Sequence, residues 1–256
     1  MTPRYFTDAY CKELTTTITS VKDGRFVTLA DTIFYPHGGG QPHDTGTITT
    51  DDATAYPVIF VRKSDDTISH EVDPQSRPPL TAGQSVTCHL DWQRRHILMR
   101  MHTASHILSA LILRETGALI TGNQLGEDKT RIDFSIDQFN RNLLNSFEHK
   151  TNAIIGKDLP VEITFTTRET LEQDPRLVRL AKGFPEHIKE VRIVAIGQGD
   201  DQVDVQADGG THVRSTREVG AIRIIDLQNK GKDRRRIYFE LKDLSSDASR
   251  HLSAGE

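Results

Sequence analysis

Hydrophobic positions follow two different rhythms along the chain. Up to about residue 90 they fall in short runs broken by Gly, Pro and Asp: Gly24 to Leu29, Thr32 to Tyr35, Tyr56 to Val61 and Ser85 to Leu90. Short β-branched segments with such punctuation predict a small all-β barrel or sandwich. Asp73-Pro74 through Pro78-Pro79 reads as a surface loop. From Asp91 the period changes to that of a helix, with Asp91 as N-cap, an end near Glu115 and a stop at Gly117. Ile97, Met101, Ala104, Leu108 and Leu111 form one apolar stripe. His102 and His106 fall on roughly the opposite side with Leu98, Ser105 and Ser109, so both faces of this helix carry demands.

Strands follow near Ala118 to Leu125 and Thr130 to Phe134. An amphipathic helix then spans Asp137 to Ile155, with Phe139, Leu143, Phe147 and Ile154 along one face and Gly156 as its stop. Further strands are expected at Pro160 to Phe165, Glu190 to Ile196 and Gln202 to Gln206, with a short helix at Thr167 to Gln173. Ala221 to Leu227 and Arg235 to Leu241 would form a hairpin, and the polar tail from Ser245 would fray. The expectation is an α+β chain with a β domain over residues 1–90 and an α/β sandwich over residues 91–256.

Histidines four apart on a helix lie one turn above each other, close enough for both imidazoles to reach one metal ion. With 11 His in 256 residues, such a pair alone is a weak signal. Asp208-Gly209-Gly210-Thr211-His212 adds a third imidazole and a carboxylate on a turn that its glycines allow to bend sharply. Cys11 and Cys88 lie far apart, which supports neither a disulfide framework nor a thiolate metal site and leaves both as buried structural thiols. A net charge of −4 excludes a wholly basic nucleic-acid binder. Two local basic groups remain: Lys230, Lys232, Arg234 and Arg235 on the hairpin turn, and Arg94, Arg95 and Arg100 beside the histidine pair. Each reads equally as a solvated charge run. With no apolar run of membrane length and no leader pattern, a soluble cytoplasmic protein is expected.

HxxxH followed about a hundred residues later by GGTHV resembles the editing domains of alanyl-tRNA synthetases, and most closely the freestanding AlaX proteins. Phe34-Tyr35-Pro36-His37-Gly38-Gly39-Gly40-Gln41-Pro42 is similar to the glycine-rich signature of the longer AlaX forms. The resemblance implies an N-terminal β-barrel followed by a two-layer sandwich of the type shared by threonyl- and alanyl-tRNA synthetase editing domains. It implies one Zn²⁺ ion on His102, His106, residue 208 and His212, although the family carries Cys where this chain has Asp208. Asp208 is then a fourth ligand, a general base acting on water held by a three-histidine site, or a mark of metal loss. The implied activity is trans hydrolysis of the ester in mischarged alanine tRNA, chiefly Ser-tRNA and secondarily Gly-tRNA, without ATP. Thr32 and Gln41 are candidates to recognise the acyl hydroxyl, with Gly39 and Gly40 beside them and Thr103 and Ser105 as weaker ones. Arg94, Arg95, Lys230, Lys232, Arg234 and Arg235 are candidates for tRNA contact. A threonyl-type deacylase and a catalytically degenerate tRNA binder are the competing readings, and the sequence sets no oligomeric state.

Overall fold

The computed structural model describes residues 2–64, 67–75, 77–136, 141–173, 177 and 190–242. The chain divides into two compact units, residues 1–99 and 100–256. The first holds a short helix, α1 (Arg4–Thr7), and six strands: β1 (Glu13–Lys22), β2 (Phe26–Leu29), β3 (Gly46–Thr50), β4 (Ala55–Ser64), β5 (Thr67–Val72) and β6 (Ser85–Leu90). They close into an antiparallel barrel in the order β1-β2-β5-β4-β3-β6, which leaves no free edge. Alternate residues point inward, so Ile18, Val27, Ile48, Val58, Val61, Val72, Val86 and Cys88 form the interior. Burial pushes the Cys88 thiol up to about 12, as suits a structural cysteine. Cys11 is only half-buried, contrary to expectation, and its thiol donates to the Glu13 carbonyl.

Thr32 to Tyr35 is not a strand. Its apolar residues Ile33 and Phe34 are buried without a ladder partner, which is why their pattern mimicked one. The glycine-rich segment is a tight turn. Gly38 and Gln41 exchange both backbone hydrogen bonds, and Gly39 (φ 59°) and Gly40 (φ 84°) between them take the left-handed backbone that glycine accommodates without strain. At Gly46 a Cβ would overlap the His89 carbonyl of the neighbouring strand.

Helix α2 (Trp92–Thr116) starts as expected: the Asp91 carboxylate accepts the Arg94 N–H at 3.2 Å. It ends at Gly117 (φ 73°), whose N–H bonds the Leu113 carbonyl. Its middle is buried on every side from Met101 to Ile112, so the single apolar stripe expected from the sequence understates its packing. The second unit continues with β7 (Ile120–Gln124), β8 (Thr130–Phe134), α3 (Arg141–Gly156), β9 (Val161–Thr167), α4 (Arg168–Gln173), β10 (Glu190–Ile196), β11 (Asp204–Ala207), β12 (Ile222–Asn229) and β13 (Arg235–Leu241). Two antiparallel sheets result, β11-β10-β9 and β12-β13-β8-β7. This is the expected α+β chain, an N-terminal barrel followed by an α/β domain.

The buried face of α3 is Leu144, Phe147, Thr151 and Ile155, one step round from the expected face, with Leu143 and Ile154 half-buried. Phe139 and the tail from Ser245 lie outside the described residues. The polar side of α3 anchors β12: Asn152 exchanges two hydrogen bonds with the backbone of Ile222, and Glu148 accepts from Ile224 N–H.

Candidate metal centre

His102 and His106 project from the middle of α2 because an i,i+4 pair shares one helix face. β11 leads into the turn that carries Asp208 and His212. There the Asp208 side chain accepts the Gly210 N–H at 2.6 Å, while its backbone is tied to Arg192 on β10 through Asp208 N–H to the Arg192 carbonyl (3.1 Å) and Arg192 Nη1 to the Asp208 carbonyl (2.9 Å). Two pairs of side chains distant in sequence thereby meet, with one ligand atom from each of the four inside a 4.8 Å group.

All three imidazoles turn Nε2 toward the same carboxylate. His212 Nε2 lies 3.1 Å from Asp208 Oδ1, and His102 and His106 Nε2 lie 3.5 and 3.8 Å from Oδ2. Bonds of about 2.1 Å in a tetrahedron put neighbouring ligand atoms about 3.4 Å apart, so these spacings bracket what a zinc-sized ion needs. The three histidines are buried, whereas the Asp208 side chain is 22% exposed, so the centre opens on the carboxylate side.

The far side of two rings is also fixed. His106 Nδ1 lies 3.0 Å from Oδ2 of Asp204, a fully buried carboxylate to which Gln206 Nε2 also donates. His212 Nδ1 lies 3.1 Å from the Thr103 hydroxyl. With Nε2 given to a metal ion, each Nδ1 would carry the proton and donate it outward, the arrangement that holds a metal-ligating imidazole in one tautomer.

Electrostatics match a cation site. Burial alone would raise the Asp208 carboxyl, but His102 first, then His106 and His212, hold it well below the usual carboxylate range. Burial opposes charge on His106, yet hydrogen bonds to Asp204 and Asp208 outweigh it and raise this imidazole to about 9. Burial, then the neighbouring His102, drive His212 well below its ordinary value and keep it neutral. Three imidazoles and one ionised carboxylate form a donor set that suits a divalent ion.

Other expected site residues have different positions. Thr32 does not offer a free donor. His70 is buried and neutral, its Nδ1–H donates to the Val27 carbonyl at 3.0 Å, and its Nε2 therefore takes the Thr32 hydroxyl proton at 2.8 Å. The same hydroxyl accepts the Phe34 N–H, so it is bonded on both sides within the barrel. Gln41 is buried beside the exposed Gly39 in the first unit. The Thr103 hydroxyl lies against His212 Nδ1, and Ser105 bonds the Met101 carbonyl of its own helix.

Arg95 is not on a tRNA-facing surface. It is fully buried, with Nε 3.0 Å from both Asp44 carboxylate oxygens and the remaining nitrogens on the Ala9 and Ile33 carbonyls. Asp44, 51 residues away, is the partner that a local reading of a basic run misses. Arg94 is half-buried and donates to the His43 carbonyl, and Arg100 donates to the Val219 carbonyl. Lys230, Lys232 and Arg234 are exposed on the turn between β12 and β13 and line, with Thr121 and Ser135, a depression of about 480 Å³. Arg235 is half-buried and folds back on Asn229 and Gly231.

Asp204 and Gln206 escaped the reading of the sequence, although a signal was there. They alternate along β11 on its buried face, where a strand ordinarily carries apolar side chains.

A barrel followed by an α/β domain, with HxxxH and a GGTH turn converging on one point, defines the editing-domain class of the class II tRNA synthetases. Residues 191–238 match the family model described as the threonyl and alanyl tRNA synthetase second additional domain, and residues 8–94 match that of class II (A) tRNA synthetases. The chain belongs to the alanyl-tRNA editing protein family, AlaX-M. It is 46% identical over 242 residues to alanyl-tRNA editing protein AlaX-M of Methanosarcina barkeri, covering 93% of this chain and 98% of the relative. The AlaX-M protein of Saccharolobus solfataricus is 37% identical over 93% of this chain and 98% of its own length. An alanine–tRNA ligase of Pyrobaculum neutrophilum is 35% identical over 86% of this chain, which corresponds to 24% of the ligase.

Proposed function

We propose that the chain hydrolyses, in trans, the ester linking a wrong amino acid to alanine tRNA, with serine the principal substrate and glycine a second. It would act without ATP, in the cytoplasm, on tRNA already released. The observation that carries this reading is the convergence of three imidazole Nε2 atoms on the Asp208 carboxylate, in a chain of the alanyl-tRNA editing family. A synthetic pocket built for alanine discriminates weakly against a near-isostere with one added hydroxyl, so a separate hydrolytic site is needed.

The donor set of His102, His106, Asp208 and His212 fits one Zn²⁺ ion, which when bound would polarise an ester carbonyl and lower the pKa of water. Asp208 serves as fourth ligand. Its oxygens lie at direct contact distance from all three Nε2 atoms, whereas a general base would stand one water further out. The backing of His106 by Asp204 and of His212 by Thr103 supports a working site over a degenerate one. Lys230, Lys232 and Arg234 offer charge for the phosphate backbone of the tRNA.

The test is deacylation of Ser-, Gly- and Ala-charged alanine tRNA by the wild-type protein and His102→Ala. Faster loss of Ser than of Ala, abolished in the variant, is expected; full activity of His102→Ala would overturn the reading. Asp208→Cys should keep metal and bind zinc more tightly if residue 208 is a ligand. Unchanged zinc affinity with a slowed ester step would instead assign it as the base.

A further inference from the structure

The outer wall of the barrel carries rings and guanidinium groups that neither its interior nor the metal centre uses. Phe26 on β2, Glu71 on β5 and Phe60 on β4 stand in register across three neighbouring strands. Val27, His70, Val61 and Val72, next to them in sequence, are fully buried, so alternation turns Phe26, Glu71 and Phe60 outward, where each is half-buried. The guanidinium groups of Arg25 and Arg62 lie 5.4 and 5.3 Å from the Phe26 ring centre, and Arg25 also pairs with Glu71. His37 bridges to Arg62 through the backbone, and its ring stacks on Phe60 at 6.1 Å and 28°. The His43 ring packs 4.4 Å from Phe60, and Ile59 is 44% exposed. Burial, then the nearby Arg94, depress the His43 pKa, so that ring stays neutral. A wet strand face ordinarily carries polar side chains. Flat rings interleaved with two arginines against one glutamate instead match what an unpaired polynucleotide offers: base faces to stack and phosphates to neutralise.

We propose that this face binds an unpaired stretch of RNA, with bases stacked on Phe60, His37 and Phe26 and phosphates on Arg62 and Arg25. This rests on the reading of tRNA as substrate and adds a second place where the protein holds it. The match of residues 8–94 to a tRNA synthetase model covers this barrel, which favours RNA over a protein partner.

The test uses the full chain and a short, labelled, uncharged single-stranded RNA, read by fluorescence anisotropy over a salt series. Phe60→Leu keeps an apolar group but loses the ring, and His37→Ala is exposed enough to leave folding intact, which a thermal melt checks. Each should weaken binding about 10-fold. Arg62→Gln should lower the slope of log affinity against log salt by about 0.7. For deacylation, the variants should raise KM with kcat unchanged. Wild-type RNA affinity in Phe60→Leu and His37→Ala would overturn the proposal, and so would a change confined to self-association or protein binding. If wild type binds RNA through this face yet deacylates nothing, the editing reading fails alone. If it deacylates with the same KM in all three variants, the RNA-binding face fails alone.

Discussion

Asp204→Asn changes one atom behind His106 and leaves every proposed ligand in place. The Asp204 carboxylate is buried and lies 3.0 Å from His106 Nδ1. Asn keeps the shape and an acceptor oxygen but removes the charge that steadies the imidazole and raises its basicity. A hydrogen bond to a charged group contributes about 1.5–3 kcal/mol and a neutral one about 1 kcal/mol, so the change forfeits roughly 0.5–2 kcal/mol. At about 1.4 kcal/mol for each factor of ten, zinc should bind roughly 2–30-fold more weakly. Competition with a chelating dye measures this directly. Deacylation should fall at limiting zinc and recover when zinc is in excess. Unchanged zinc affinity, or a loss of activity that excess zinc does not restore, would refute the assignment of Asp204 as the residue that positions His106.

Arg95→Met should destabilise the barrel by about 3–5 kcal/mol, because Asp44 is left charged and buried without its partner; a urea midpoint near that of wild type would contradict this. His70 gives the barrel an acid limit. Its folded pKa is lowered by burial to about 4, against 6.5 unfolded, so the neutral form is favoured in the folded state. That stability is complete above the unfolded value and is lost as pH falls from 6.5 toward 4, about 3 kcal/mol in all. His70→Gln can accept from Thr32 and donate to Val27, so it should flatten the stability profile in that window; an identical profile would exclude His70 as the source. Lys230→Glu with Arg234→Glu should weaken tRNA binding at low salt and reduce its salt dependence, and an unaltered salt slope would remove the hairpin tip from the interface.

What the sequence made legible follows from how local each determinant is. Helix α2 was readable because i,i+4 spacing, an N-cap and a terminal glycine lie within one segment, and the turn at 208–212 because glycines announce it. Strand β1 was missed since Glu13 to Lys22 is dominated by threonine and places only Ile18 fully inside. Ile33 and Phe34 pack as a strand would, so their pattern could not reveal that no ladder forms there. Arg95 is held in the core by Asp44 together with the Ala9 and Ile33 carbonyls, and the Thr32 hydroxyl is held by His70, with Asp44 and His70 lying 51 and 38 residues away. Long-range pairs of this kind leave no periodic trace. Asp204 did leave one, as a polar residue on the buried side of a strand.

Metal analysis of the full chain alongside His102→Ala, His106→Ala and His212→Ala bears most directly on the shared cation. The account predicts one zinc per wild-type chain, lost in each variant, with ester hydrolysis vanishing on chelation and returning with added zinc. Stoichiometry no higher in wild type than in His212→Ala, or hydrolysis that survives complete removal of metal, would contradict it.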